Sequence, residues 1–172
     1  MTGTERTGIE RTALEARLVD AITALAASPP APEPLEDDTA AALVRLFDLQ
    51  VASRHADLAA RWLRSRRQGY YTIGSAGHES NAAVGMALRS TDPALLHYRS
   101  GGFYLARAGL DGVRDILAGV VAASDEPIAG GRHKVFGRHD LAVIPQTSTI
   151  ASHLPRALGV AFAIARADRL GV

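Results

Sequence analysis

Four stretches of this 172-residue chain gather glycines, hydroxyls and cationic side chains in patterns that packing alone does not demand. In LHYRSGGFYLARAG, Tyr98 and Arg99 stand just before a glycine pair, Ser100 between them and it. A planar guanidinium holds two oxygens of a phosphate at once, and a phenol adds one more donor. The same two residues read equally well as a core aromatic and a surface ion pair. In YYTIGSAGHES, Gly74 and Gly77 allow close approach of backbone to a ligand; taken alone, this stretch is a tight connection in which His78 and Glu79 begin a helix. GGRHKVFG groups Arg132, His133 and Lys134 in one loop, and PQTSTIASHLP sets Ser148, Thr149 and Ser152 just before a helix that tolerates Pro155 in its first turn. Free N–H groups at a helix start, together with these hydroxyls, suit a polar ligand or an ion, while the plainer alternative is N-capping by Ser152.

The common catalytic signatures are missing from the sequence. It contains no GxxxxGK[ST] phosphate loop, no HExxH, no GxSxG elbow and no cysteine. Polar pockets without a nucleophile fit a cofactor that carries its own chemistry.

The elements that must position these residues follow from periodicity. Leu14, Leu18, Ile22 and Leu25 recur at helical spacing, with Thr12 and Glu15 as a capping box, so residues 1–27 form a helical arm. Residues 28–38, SPPAPEPLEDD, hold four prolines and four acids and are expected to be an extended linker. A long helix capped by Asp38 or Thr39 follows, with Leu43, Phe47, Val51, Leu58 and Trp62 as its buried stripe, His55 continuing that stripe as a core histidine, and Gly69 as its end. Its basic end, RWLRSRR, reads as a solvated face favoured by the helix dipole. Further helices are expected around 77–89, 102–108 and 111–122, strands around 94–98 and 141–144, and a last helix with Leu154, Leu158, Ala161, Phe162 and Ala165 on one face. Helix and strand alternate, which predicts an α/β fold with helices packed on a mostly parallel sheet. Ligands of such sheets sit beyond the carboxyl ends of the strands, where Tyr98 and Arg99 fall.

Composition sets the outer bounds. Nineteen basic against eighteen acidic residues leave a net charge of +1, which gives no footing for a nucleic-acid partner, and Lys134 is the only lysine. No apolar run approaches membrane-spanning length and the amino terminus lacks a signal-peptide pattern, so a cytoplasmic protein away from the membrane is expected.

Read together and in order, RQGYYTIGSAGHESNAAVGMALR, DPALLHYRSGGFYLARAG, GGRHKVFG and STIASHLPRALGVAFAIA resemble the alpha subunits of thiamine diphosphate-dependent 2-oxo acid dehydrogenases, the first components of the branched-chain 2-oxo acid and pyruvate dehydrogenase complexes. The resemblance runs from about Arg45 to Val172 and leaves the arm and linker without a role. It implies that 39–172 is the amino-terminal part of a thiamine diphosphate-binding domain, an incomplete version of that fold preceded by the helical arm. It further implies a cofactor half-site completed by a beta subunit, separate or fused, with a lipoyl-bearing acyltransferase as partner and a small 2-oxo acid as substrate. By motif position Tyr98 and Arg99 would hold the diphosphate, and backbone groups at Ser148 and Ile150 would meet the aminopyrimidine. Arg132, His133 and Lys134 would form the substrate loop, and Ser148 and Ser152 would hold a monovalent cation such as K+, present in some members. The chain departs from the family at Ser100 and Gly101 and within the GGRHKVFG loop. The family's Mg2+ motif, GDG with a later asparagine, is expected beyond Val172, so this sequence is expected to be the amino-terminal portion only and inactive alone. The competing expectations are a non-catalytic oligomerisation or regulatory fragment, and another thiamine enzyme of acetoin-cleaving or transketolase-like type.

Overall fold

A computed structural model describes residues 13–27, 36–72, 74–133, 135–147 and 149–167. The chain divides into two compact units, 1–41 and 42–172. In the first, helix α1 (Ala13–Ala27) exposes Leu18, Ile22 and Leu25, the apolar positions of the predicted arm. Most of the predicted linker, 28–35, lies outside the described residues, as does the capping Thr12. Helix α2 (Asp37–Ser65) starts slightly ahead of the expected cap, with Asp37 and Asp38 in its first turn, where carboxylates complement the free N–H groups.

In the second unit the buried face of α2 is not the stripe of large apolar residues. Leu43 and Phe47 are exposed and His55 faces solvent, whereas Leu49, Ser53, Ala56, Asp57 and Ala60 are buried. The covered face is the one with small side chains, against which the Gly74–Ser75 turn packs. Gly69 does not end the helix by its own conformation. Arg67 adopts the left-handed conformation (φ 60°), and Gln68 N and Gly69 N both donate to Leu63 O.

Helices α3 (Asn81–Ala87), α4 (Gly101–Ala108) and α5 (Gly112–Val120) form the centre. Six consecutive residues of α4, Gly101 to Ala106, are buried, as a helix enclosed on all sides requires. It packs closely on α3. At that contact a Cβ on Gly85 would lie 2.7 Å from Ala106 Cβ, and one on Gly102 would lie 2.8 Å from Glu79 O. The core comprises Leu49, Ala56, Ala82, Leu96, Phe103, Tyr104, Leu105, Ile116, Phe136 and Val143, among others.

The expected sheet is not formed among the described residues, which contain helices and two isolated bridges. The predicted strands do meet: Ala94 pairs in parallel with Val143, through Ala94 N to Ala142 O (2.9 Å) and Ile144 N to Ala94 O (2.8 Å). Pro93 and Pro145 flank this pair and have no N–H to donate, and parallel pairing is stable only within a larger covered sheet. The next rung is made by a side chain, Gln146 Nε2 donating to Leu96 O at 3.1 Å. Arg107 of α4 locks the pair from below, donating to Asp92 O at 3.2 Å and Leu141 O at 2.9 Å. Beyond Pro145, helix α6 (His153–Ile164) has no buried residue, so the predicted face of Leu154, Leu158 and Phe162 is exposed.

Candidate functional site

Because Ala94 and Val143 pair in parallel and Gln146 reaches Leu96, the segments leaving this pair run on from the same end. Tyr98 and Arg99 leave the first, and the hydroxyl-rich run to Ser152 leaves the second.

A turn shapes the first segment. Ser100 N donates to His97 O (2.8 Å), and Gly101 N, which opens α4, donates to Ser75 Oγ (3.1 Å). Arg99 Nη1 donates to Gly74 O at 3.1 Å, so the GSAG turn and the guanidinium fix one another. The His97 and Tyr98 rings lie 3.7 Å apart between centroids, and Arg99 Cζ is 5.3 Å from the Tyr98 ring. The YYTIGSAGHES stretch is the tight connection its composition allows. Gly77 takes φ 85° and donates its N–H to Glu79 Oε2, while Glu79 Oε1 pairs with Arg54 at 2.6 Å. Behind the turn, Asp57 packs so closely on Gly74 that no side chain fits there. Burial raises the Asp57 pKa above 3.8, against a smaller downward pull from the backbone N–H groups of Ser75 and Ala76. Asp57 Oδ2 and Ser53 Oγ have no partner in the protein and border a void of about 10 Å³, the size of one water.

In the second segment Ser152 occupies the N-cap position of α6, with αR backbone angles and no side-chain capping bond. N-capping therefore does not account for it, and its Oγ is buried without a partner, as is His153 Nδ1. Ala151 is left-handed (φ 63°), and Thr147 Oγ1 lies 3.5 Å from Thr149 Oγ1. Ile150 is 78% exposed. Ser148 and Lys134 lie outside the described residues. Arg132 and His133 are exposed, Arg132 Nη1 donating to Ala129 O (3.1 Å).

Two groupings emerge that no single motif announces. The first is cationic: His97 has its pKa held below 6.5, by partial burial first and then by the charges of Arg99, His153 and His78. His97 thus feels three basic side chains from three sequence blocks, a field that favours an anion. The second is an open cavity of about 450 Å³ whose lining includes His133, Gln146, Thr147, Ser152 and Arg156, which joins the two loops predicted to act together. Glu126, which the sequence reading passed over, is buried and shapes the first of these loops by accepting from Ile128 N (3.1 Å), Ala129 N (2.7 Å) and Gly131 N (3.2 Å). The signal for it was an acid just before Pro127, followed by a turn rich in small residues.

The donor set fits a diphosphate. It does not supply a metal: among the described residues no cluster of three or more His, Cys, Asp or Glu is placed to hold an ion. Nor is any described helix long and apolar enough to cross a membrane.

The depressed pKa of His97 has a measurable consequence. The unfolded chain binds more protons than the folded one just below pH 6.5, so the histidine's contribution to stability is present above that pH and lost on acidification through the folded pKa. A bound anion offsets the opposing charges and raises the pKa, so binding takes up a proton. Inorganic diphosphate should bind more tightly as pH falls from about 8 to about 6, and the gain should shrink in His97→Gln. Calorimetry across that range checks it, and identical pH profiles for the two proteins would remove His97 from the site. No family model, curated protein or solved structure matches the chain.

Proposed function

We propose that this chain supplies the amino-terminal part of the alpha subunit of a thiamine diphosphate-dependent 2-oxo acid dehydrogenase, a cytoplasmic enzyme. Its 39–172 region is an incomplete thiamine diphosphate-binding fold. One observation supports the reading: the parallel meeting of residues 94 and 143 sets the segments that lead to Tyr98–Arg99 and to Ser152 side by side, and His97 feels the charges of Arg99, His153 and His78. The four ordered motifs support the identity of the anion that such a field favours.

When bound, thiamine diphosphate supplies the carbanion chemistry that decarboxylates a 2-oxo acid. The chain's own residues bind and orient. Arg99, braced by Gly74 O, and Tyr98 would hold the diphosphate, and His97 would take up a proton as its charge arrives. Backbone at Ser148 and Ile150 would meet the aminopyrimidine. Ser152, whose Oγ is buried without a partner, would with Ser148 hold a monovalent cation such as K+. Arg132, His133 and Lys134 border the substrate, a small 2-oxo acid. Mg2+ ligands, the second half-site and the lipoyl-bearing acceptor come from outside the residues described.

A second reading, a non-catalytic oligomerisation or regulatory module, is favoured by α6, whose Leu154, Leu158 and Phe162 are all more than half exposed. Co-expression with a candidate beta subunit separates the two. Dye-coupled decarboxylation of 2-oxo acids by the complex, dependent on thiamine diphosphate and Mg2+, supports the enzyme reading, and a stoichiometric complex without turnover supports the module. Acetoin-cleaving or transketolase-like activity would show instead in the products.

A further inference from the structure

We propose that Glu126 is a latch: its buried carboxylate holds residues 128–133 folded at the wall of the open cavity, and so positions His133 for the substrate. From residue 121 to residue 135 it is the only buried residue among those described, at 5% exposure, while Pro127, Arg132 and His133 are exposed and the residues between them are half-buried. No buried apolar side chain therefore anchors this loop. Pro127 has no N–H, so the first backbone donor after Glu126 is that of Ile128. Glu126 Oε1 accepts from Ile128 N (3.1 Å), and Oε2 accepts from both Ala129 N (2.7 Å) and Gly131 N (3.2 Å). Ile128 and Ala129, held directly by these bonds, line the cavity themselves, as does His133.

The carboxylate and the loop need each other. A buried charge is costly unless hydrogen bonds replace its lost water, and these three N–H groups supply them. The bends that bring the three together exist only in the folded loop: Gly130 N returns to Glu126 O at 3.1 Å, and Arg132 closes on Ala129 O through its N (3.3 Å) and its Nη1 (3.1 Å). Gly130 and Gly131 turn the chain with left-handed angles (φ 58° and 74°), and a Cβ on Gly131 would lie 2.7 Å from Ala123 O. A segment held by one polar group opens as a unit while the core stays folded. With the latch engaged, Ile128, Ala129 and His133 form one wall of the cavity; released, they leave it. Glu126 acts through these residues and is a positioning residue for the substrate loop, a role that rests on the enzyme reading above for the identity of the substrate.

Limited trypsin digestion of the full chain reads the latch without any ligand, because cleavage after the exposed Arg132 tracks the population of the open loop. Glutamine keeps one acceptor oxygen and turns an amide NH2 toward at least one of the three donors, and alanine keeps neither oxygen. Cleavage after Arg132 is expected to be about tenfold faster in Glu126→Gln and about a hundredfold faster in Glu126→Ala, with cleavage after Arg67, beyond the end of α2, unchanged. Equal rates after Arg132 in the three proteins overturn the latch, and so does acceleration after Arg67 in step with Arg132, which marks general unfolding. Gly131→Ala, which strains the bend while Glu126 stays, is expected to open the loop in the same way, and it keeps the proposal falsifiable if the Glu126 variants do not fold. In complex with a beta subunit, Glu126→Gln should raise the KM for the 2-oxo acid about tenfold with kcat and thiamine diphosphate affinity nearly unchanged, and an unchanged KM overturns the positioning role. A wild-type complex without turnover would refute the enzyme reading instead and leave the digestion to decide the latch.

Discussion

Replacing Arg99 with alanine should weaken binding of thiamine diphosphate, or of inorganic diphosphate as a simpler probe, by between tenfold and a hundredfold. A hydrogen bond to a charged group contributes about 1.5 to 3 kcal/mol, and about 1.4 kcal/mol is a tenfold change in affinity. Lysine at the same position keeps the charge but not the planar pair of donors, so Arg99→Lys should fall between wild type and alanine. Thiamine itself, which has no phosphate, should bind the three proteins alike. The fold should survive, because Arg99 makes one part-buried bond to Gly74 O that accounts for about 1 kcal/mol. A second readout is independent of any ligand. Arg99 is the first of the charges opposing protonation of His97, so the His97 pKa, followed by proton NMR, should move upward in Arg99→Ala. Equal diphosphate affinity in the two proteins would take Arg99 out of the site, and an unmoved His97 would dissolve the cationic grouping.

That grouping also marks how far sequence reaches. Tyr98 and Arg99 stood out as candidates because of their neighbours: a guanidinium shortly before a glycine pair at the end of an apolar run. The helices were legible for a similar local reason, since α4 and α5 fall within a residue or two of where periodicity ends them. What failed were inferences about approach. Large apolar residues on α2 suggested one buried face, but the turn at Gly74 comes so close that only the face of Ser53, Ala56 and Ala60 admits it. Hydrophobic spacing registers the size of side chains, not the closeness of a partner met later in the chain. The strands failed for a related reason. Residues 94–98 and 141–144 have strand-like composition, yet prolines at 93 and 145 and the lack of further strands among the described residues leave a single rung. Gln146 and His153 acquire meaning only through that rung, which sets them opposite residues about fifty positions earlier in the chain. Ser152 was visible as a hydroxyl at a helix start, readable as an ion or ligand group or as a cap, and its unpartnered Oγ speaks against the cap.

The largest effect on stability should come from Tyr104→Ala. Tyr104 is 0% exposed at the middle of α4, its ring 5.1 Å from that of Phe136, and its hydroxyl donates to Asp115 Oδ2 at 2.7 Å. The opposite wall is Gly112, where even a methyl group would approach the Tyr104 ring to 3.3 Å. Deleting a ring so enclosed leaves a cavity that the neighbouring helices cannot close, at a cost of about 3 to 5 kcal/mol, against a total stability of about 5 to 15 kcal/mol for a typical domain. Tyr104→Phe separates the ring from its hydroxyl. Asp115 keeps Arg138 at 3.0 Å, and the carboxylate is not stranded, so the phenylalanine protein should lose only about 1 to 2 kcal/mol. Burial, reinforced by the bond to Asp115, pushes the phenol pKa far above its usual 10, so the phenylalanine effect should be the same at neutral and mildly alkaline pH. Urea unfolding of the three proteins measures these differences. A Tyr104→Ala cost below about 1 kcal/mol would mean the ring is not enclosed as described. Because α4 begins two residues after Arg99, the same variants also test whether the core holds the site: the phenylalanine protein should bind diphosphate as wild type does, and the alanine protein should lose binding in step with its folded fraction.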